Sequence, residues 1–343
     1  MKISRRTLAP GYEIPRLIRG GWQLAGDHGE VQASRAIDDM AAFVAAGLNT
    51  FDCADIYTGV EELIGQYRLH DPSLQVHTKF VPDLSILHQV DESYVRTIHQ
   101  RSLQRLHAQR LDLVQFHWWD YTAAGMLQAA RHLQSLQKEG SLRLIGATNF
   151  NTEQSQRLLD AGIKVVSMQV QYSLLDRRPA DQMASLCAQS GMQLLCYGTL
   201  AGGFLTAAWL GQPEPAAGSL HNRSLIKYKL IIDDFGDWSL FQQLLQALHT
   251  VAQRHGVALS SVATRWVLDQ PHVAAAIVGA RYAVHLPQML EAFSFKLKTR
   301  DHDLLRDVLR RSRQLDGDVF DLERDRQGRH GRIMKYELNQ KPA

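Results

Sequence analysis

The sequence predicts an α/β fold, a (β/α)8 TIM barrel with a long loop after strand 7 and a C-terminal extension. Eight short runs are almost continuously apolar, which suits parallel strands covered on both faces or lining a filled barrel. Stretches with helical spacing of apolar residues separate them. The rival is a doubly wound sheet, which would prefer Gly-x-Gly-x-x-Gly after an early strand. The first turn here reads Gly20-Gly21-Trp22-Gln23-Leu24-Ala25-Gly26 and lacks that spacing.

Taken in order, residues 1–16 form a short N-terminal cap with a Pro-Gly turn signal, Pro10-Gly11. The strand-like runs are Leu17–Gly20, Leu48–Asp52, Val76–Phe80, Leu111–Phe116, Leu142–Ala147, Val165–Val170, Gln193–Tyr197 and Val273–Val278. Helical spacing marks Gln32–Ala46 (Ala36, Met40, Phe43), Asp91–Leu106 (Tyr94, Val95, Ile98) and Ala123–Glu139 (Met126, Ala130, Leu133). A further helix, Thr152–Ala161, starts after Asn151 as N-cap and ends before Gly162. Residues 201–237 read as long and irregular, rich in Gly and Pro; loops of that length carry function or are disordered. Residues 296–343 are charged and include the basic stretch Arg324–Arg332, either a solvated terminus or a lid over the barrel mouth. The chain thus reads as one domain of 343 residues: cap 1–16, barrel 17–295, extension 296–343.

Bulk properties narrow the function classes. A formal charge of +3 is far from a nucleic-acid-binding signature. No apolar run approaches the roughly 20 residues of a membrane span. Ser4-Arg5-Arg6 has the look of a twin-arginine export signal, but no apolar segment follows it. The three cysteines, Cys53, Cys187 and Cys196, are odd in number and lack metal spacing, so a reducing, cytoplasmic setting is the simplest reading. The 15 histidines are scattered without His-x-His or His-Glu-x-x-His, which weighs against a metal-dependent hydrolase or lyase. Oligomeric state is not written in the sequence.

Asp52, Tyr57, Lys79 and His117 stand at or just past the ends of three successive strand-like runs. In a parallel barrel those ends converge on one face. Each residue alone has a bland explanation: a turn aspartate, a packing tyrosine, a solvated lysine, a structural histidine. Together they make a proton donor. A phenol with an unperturbed pKa near ~10 is a weak acid, useful once an ammonium stabilises its phenolate. Lys79 would supply that charge, Asp52 would keep Lys79 protonated, and His117 would hydrogen-bond a carbonyl oxygen. Such a set protonates an oxygen while a hydride reaches the carbon.

The run Gly47–Tyr57, followed by Glu61-Glu62-Leu63-Ile64-Gly65, resembles the first signature of the aldo-keto reductase superfamily. The resemblance continues through Lys79, His117, Gly146–Phe150, Gln169–Arg177, Tyr197 and Ile277–Arg281, and covers roughly residues 17 to 295. It implies a barrel that binds NADP(H) without a Rossmann domain and reduces aldehydes or ketones to alcohols, or the reverse. It implies Tyr57 as general acid, with Asp52, Lys79 and His117 as its companions. Position 53 is Cys where the family commonly has a small hydroxyl residue. For the coenzyme it implies Gly21, Trp22 and Asp52. It adds Thr148, Asn149 and Gln169 on the carboxamide, Tyr197 stacked on the nicotinamide, and Gly198, Thr199, Leu200 and Gly202 near the pyrophosphate. Gly279, Ala280, Arg281, His285 and Gln288 fall at the adenine end, Arg281 on the 2′-phosphate before a helix. Met289 replaces an asparagine found in many members, which leaves NAD use open. Trp22, Trp118 and Trp119 are candidate substrate walls. The partner implied is a small-molecule carbonyl, with no nucleic acid, membrane or metal. The alternative reading is an NADP-binding regulatory or sensor protein with little turnover.

Overall fold

The computed structural model describes residues 3–25, 32–216, 218–220, 222–280 and 282–339. An antiparallel hairpin, β1 (Arg5–Ala9) and β2 (Tyr12–Pro15), precedes a closed parallel barrel. The barrel strands are β3 (Leu17–Gly20), β4 (Thr50–Asp52), β5 (Gln75–Phe80), β6 (Leu111–Phe116), β7 (Leu142–Thr148), β8 (Val165–Gln171), β9 (Gln193–Tyr197) and β10 (Val273–Gly279). They pair in chain order, and β10 closes the ring on β3 with Ala276 opposite Leu17 and Gly279 opposite Gly20. All eight strands fall on the apolar runs predicted for them.

Helices cover the outside: α1 (Ala33–Ala45), α2 (Val60–Arg68), α3 (Glu92–Arg105), α4 (Met126–Lys138), α5 (Thr152–Asp160) and α6 (Gln182–Ser190). Their starts follow local chemistry. Asp91 accepts from the Tyr94 N–H and Asn151 from the Gln154 N–H, each relieving an unpaired first-turn donor. α4 begins later than its apolar spacing predicts because Gly125 holds a left-handed φ of 103°. Gly65 permits α2 to lie directly on the end of α3: a Cβ there would come within 2.0 Å of the Arg105 carbonyl oxygen.

Residues 201–237 are more ordered than predicted. Asn222 caps a 13-residue helix, α7 (Arg223–Phe235), whose Tyr228, Ile231, Ile232 and Phe235 are buried at helical spacing. The Gly- and Pro-containing stretch just before it masks that period. α8 (Trp238–His255), α9 (Leu259–Leu268), α10 (Leu286–Leu290), α11 (Thr299–Leu309) and α12 (Asp321–Arg324) complete the helices used below.

The hairpin plugs the bottom of the barrel. Leu8, Tyr12 and Ile14 pack with Ile18, Leu113, Leu195 and Ile277 in a core inside the ring. The Tyr12 hydroxyl hydrogen-bonds His77 Nε2 at 3.1 Å, and Gln75 and Gln193 donate to hairpin carbonyls. Burial pushes His77 down to about 3 and His99, on α3, down to about 4, so both stay neutral. His117, described below, is likewise held at about 3. Each folded value lies below the ordinary 6.5, so the unfolded chain takes up these protons first. Stability that is fully present above pH 6.5 is therefore lost as pH falls toward 4 and below. The melting temperature, followed by circular dichroism, should drop continuously across that window, and His77→Gln should shallow the slope. A melting temperature independent of pH from 7 to 4 would contradict neutral burial of these rings.

Candidate active site

Four strands deliver polar side chains to one point inside the upper end of the ring. Lys79 Nζ, from β5, donates to Asp52 Oδ2 at 2.8 Å and to the Cys53 carbonyl at 2.7 Å. The other Asp52 oxygen accepts from Gln115 Nε2 at 2.9 Å and Gln169 Nε2 at 2.6 Å, from β6 and β8. Both charged side chains are buried. Burial works against the ammonium, but the adjacent Asp52 carboxylate, with Tyr57, more than offsets it and holds Lys79 above the ordinary lysine range. Gln115, absent from the expected set, lies two residues before His117 and so shares its face of the strand.

Tyr57 lies between β4 and α2. Its ring centroid is 5.2 Å from Lys79 Nζ, and Trp22 meets it edge-on at 5.0 Å. Burial pushes the phenol above its ordinary value while Lys79 pulls the other way. The group is therefore a protonated donor at neutral pH, with a cation close enough to ease formation of its phenolate.

His117 has a defined polarity. Its Nδ1 lies 2.9 Å from the Thr148 carbonyl oxygen, which can only accept, so Nδ1 carries the proton. Burial first, and the Arg324 guanidinium second, hold the ring at about 3, so it is neutral. Nε2 then carries a lone pair. It is buried and has no hydrogen-bond partner among the described residues. With Nδ1 committed to the Thr148 carbonyl, Nε2 is the ring atom left to face a substrate.

These groups line one cavity of about 570 Å³ at the barrel mouth. Of the residues singled out in the sequence, Asp52, Tyr57, Lys79, His117, Trp22, Trp119, Thr148, Asn149, Gln169, Tyr197, Gly198, Thr199, Leu200, Gly202 and Gly279 line it. Asn149 adopts a left-handed φ of 60° and its Oδ1 accepts from the Tyr197 hydroxyl at 2.9 Å, which sets the Tyr197 ring. Among the described residues, Gly21, Trp118, Ala280, His285 and Gln288 do not line the cavity. Trp118 is fully buried in the core, its Nε1 donating to the Ala123 carbonyl, so Trp119 and not Trp118 supplies a wall. Gly21 is a packing glycine: its N–H donates to the Asp52 carbonyl at 2.7 Å, and a Cβ would meet that oxygen at 2.8 Å. Ala280 is buried, and His285 and Gln288 are exposed. Arg281 lies outside the described residues.

The C-terminal extension forms the roof, which decides between the two readings of that segment. Phe320, Ile333, Met334, Lys335 and Leu338 line the cavity. Arg324 donates to the carbonyls of Trp118, Trp119 and Asn149 and stacks on Tyr121 at 3.8 Å. Glu323 pairs with Arg178 at 3.3 Å and Lys227 at 3.6 Å, and Arg178 also grips Asp176 at 2.7 Å. Burial opposes the Glu323 carboxylate, but these cations hold it below its ordinary range. Farther along, Asp83 accepts from the backbone N–H groups of Leu338 and Asn339. Arg223, Lys227, Phe320 and Arg324 were not among the expected site residues, because nothing local to the sequence ties them to the barrel mouth.

Comparison with known proteins agrees with this architecture. The model of the aldo/keto reductase family matches residues 16–310. The chain belongs to the aldo/keto reductase family. Its members are oxidoreductases that act on carbonyls and alcohols. Flagellar radial spoke protein 5 of Chlamydomonas reinhardtii is 31% identical over 177 residues, 46% of this chain and 33% of that protein. The match therefore spans only a third of that longer relative. The NADH-specific methylglyoxal reductase of Escherichia coli (strain K12) is 22% identical over 86% of this chain and 94% of its own length. The solved glycerol dehydrogenase of Gluconobacter oxydans shares the fold, with a TM-score of 0.76 at 22% identity, over 90% of this chain and 95% of that one.

The Asp52–Lys79 pair yields a stability test. Asp52→Asn leaves a buried ammonium without its counter-charge, and removing one partner of such a pair costs about 3–5 kcal/mol. Urea unfolding should show the midpoint falling by a corresponding amount. An unchanged midpoint would mean that the pair is not the buried electrostatic centre of the barrel.

Proposed function

We propose that the protein is an NADP-dependent oxidoreductase that reduces aldehydes or ketones to alcohols, or runs the reverse, with Tyr57 as general acid. The observation that carries this reading is a protonated phenol beside a buried, carboxylate-paired ammonium, in the same cavity as Tyr197. The residues present suit a nicotinamide coenzyme. Tyr197 offers a ring held by Asn149, and Thr148 and Gln169 offer amide-pairing groups beside it. Gly198 and Gly202 take left-handed φ values that give close backbone access, and Arg223 and Lys227 bring positive charge to the same wall. When bound, the coenzyme supplies a hydride.

The chain's own residues do the rest. Tyr57 gives its phenolic proton to the carbonyl oxygen as that oxygen gains charge. Lys79 stabilises the phenolate that remains, and Asp52 keeps Lys79 charged and in place. His117 orients the substrate from the neighbouring wall, while Trp22 and Trp119 exclude water from the reacting carbonyl. Because burial raises the Tyr57 phenol, the resting site holds its proton at neutral pH, the protonation state that the reductive step needs.

The choice between NADPH and NADH rests on residues at the adenine end. Arg281 is the candidate for the 2′-phosphate, and an NADH-specific reductase among the relatives keeps NADH in play. We place the protein in a reducing, cytoplasmic setting, since Cys53, Cys187 and Cys196 are all free and buried. Among the described residues no helix is long and apolar enough to cross a membrane.

The test is oxidation of NADPH and NADH across a panel of aldehydes and ketones. Tyr57→Phe should lower turnover at least about 100-fold, the usual worth of a general acid, while leaving coenzyme binding by fluorescence quenching nearly intact. Unchanged turnover would overturn the assigned acid. Tight NADPH binding with no turnover by the unaltered protein would favour a regulatory or sensor role instead.

A further inference from the structure

Gln115 has no part in the steps above. It is fully buried on β6, where strand register sets it beside Lys79 of β5. It does not line the cavity, so it lies out of reach of a bound substrate or coenzyme. Its Nε2 donates to Asp52 Oδ1 at 2.9 Å, the same oxygen that accepts from Gln169 at 2.6 Å. Lys79 holds the other Asp52 oxygen at 2.8 Å. The far end of the amide is unsatisfied: Gln115 Oε1 is buried and has no hydrogen-bond partner among the described residues. A Cβ on Gly146 would press on Gln115 Cγ at 3.4 Å, so a glycine there leaves the side chain its space.

Stability does not account for this residue. Its neighbours along β6, Leu113, Val114 and Phe116, are apolar and buried. A methionine would fill the same space without an orphaned carbonyl oxygen. What the amide adds is one hydrogen bond to a carboxylate, and that carboxylate governs the charge beside Tyr57. A buried ammonium and carboxylate are prone to discharge each other by passing a proton across. Donors on the second carboxylate oxygen oppose that transfer, because they favour the ionised form and draw its negative charge away from the ammonium. Resting on the reductase reading, we propose that Gln115 is a positioning residue for proton donation, which keeps the Asp52–Lys79 pair ionised and leaves Lys79 free to stabilise the Tyr57 phenolate. Gln169 donates to the same oxygen but also lines the cavity, so its loss would disturb the coenzyme wall as well. Gln115 serves the carboxylate alone. Losing it makes Tyr57 a weaker acid and leaves the coenzyme site unaltered.

The variant is Gln115→Met, which keeps the volume and removes the donor. Reduction is followed with benzaldehyde and oxidation with benzyl alcohol, or with the fastest aldehyde–alcohol pair of the carbonyl panel, using whichever of NADPH and NADH is turned over faster. The variant's kcat should fall roughly tenfold, while the Kd for the reduced coenzyme, read by fluorescence quenching, stays unchanged. Alcohol oxidation needs the phenolate, so its kcat/KM rises with pH. In Gln115→Met the midpoint of that rise should move to higher pH by about half a unit or more. A slower enzyme with an unmoved midpoint would show a merely structural role and overturn the proposal, and so would a weakened coenzyme affinity. A second measurement needs no turnover. Gln115→Met should shift the urea midpoint by different amounts in the unaltered protein and in Asp52→Asn, whose side chain at that position is uncharged. Equal shifts would overturn the link to Asp52 and leave the reductase reading standing. No coenzyme oxidation by the unaltered protein with any carbonyl of the panel would overturn that reading and the role in proton donation with it, whatever the urea comparison shows of the hydrogen bond.

Discussion

The contact on which the rest of the site depends is the one between Asp52 and Lys79. It buries two opposite charges inside the barrel, and it tolerates burial because both Asp52 oxygens and two of the three ammonium protons have partners. Asp52 accepts from Lys79, Gln115 and Gln169, and Lys79 also donates to the Cys53 carbonyl. These groups come from β4, β5, β6 and β8. The network therefore registers four strand ends against one another as well as charging the neighbourhood of Tyr57. Geometry and electrostatics are the same object here: loosening the strands would separate the charges, and removing a charge would leave its partner stranded.

The second level of organisation is the roof. Barrel strands alone leave the mouth open. α7 brings Arg223 and Lys227 over it from one side, and the C-terminal extension brings Phe320, Met334 and Leu338 from the other. Glu323 joins the two, since it pairs with Lys227 of α7 and with Arg178 of the barrel periphery. Arg324 holds three carbonyls on the loops that follow β6 and β7. One of those loops carries Trp119 and the other Asn149, so the extension positions the walls it covers.

Much of this is legible in the chain itself, for physical reasons. Parallel strands buried on both faces must be apolar throughout, so all eight show as runs. Asp52, Lys79 and His117 are legible because a polar residue closing such a run has to go to the mouth. Gln115 follows the same logic and is hidden only by lying one step inside the run. Trp118 and Trp119 are adjacent and chemically identical, so which one reaches the cavity is decided by packing: Trp118 is taken by Phe116 and Gly125, and Trp119 is left for the mouth. The polarity of His117 depends on a carbonyl 31 residues away, Thr148, and no local pattern encodes it. Arg324 and Glu323 lie farther still, in a stretch whose charges look like those of any solvated tail.

That placement of the roof late in the sequence separates two events in the making of the molecule. The last barrel strand ends at Gly279, so the ring and its buried ion pair can close while residues 320 to 339 are still to come. Until they arrive, Trp119 and Asn149 lack the guanidinium that grips their carbonyls, and the mouth lacks its apolar cover. A chain emerging from the ribosome thus passes through a stage with a finished scaffold and an unfinished chamber. Proteolytic loss of the final segment would uncover the mouth and leave Lys227 of α7 without Glu323.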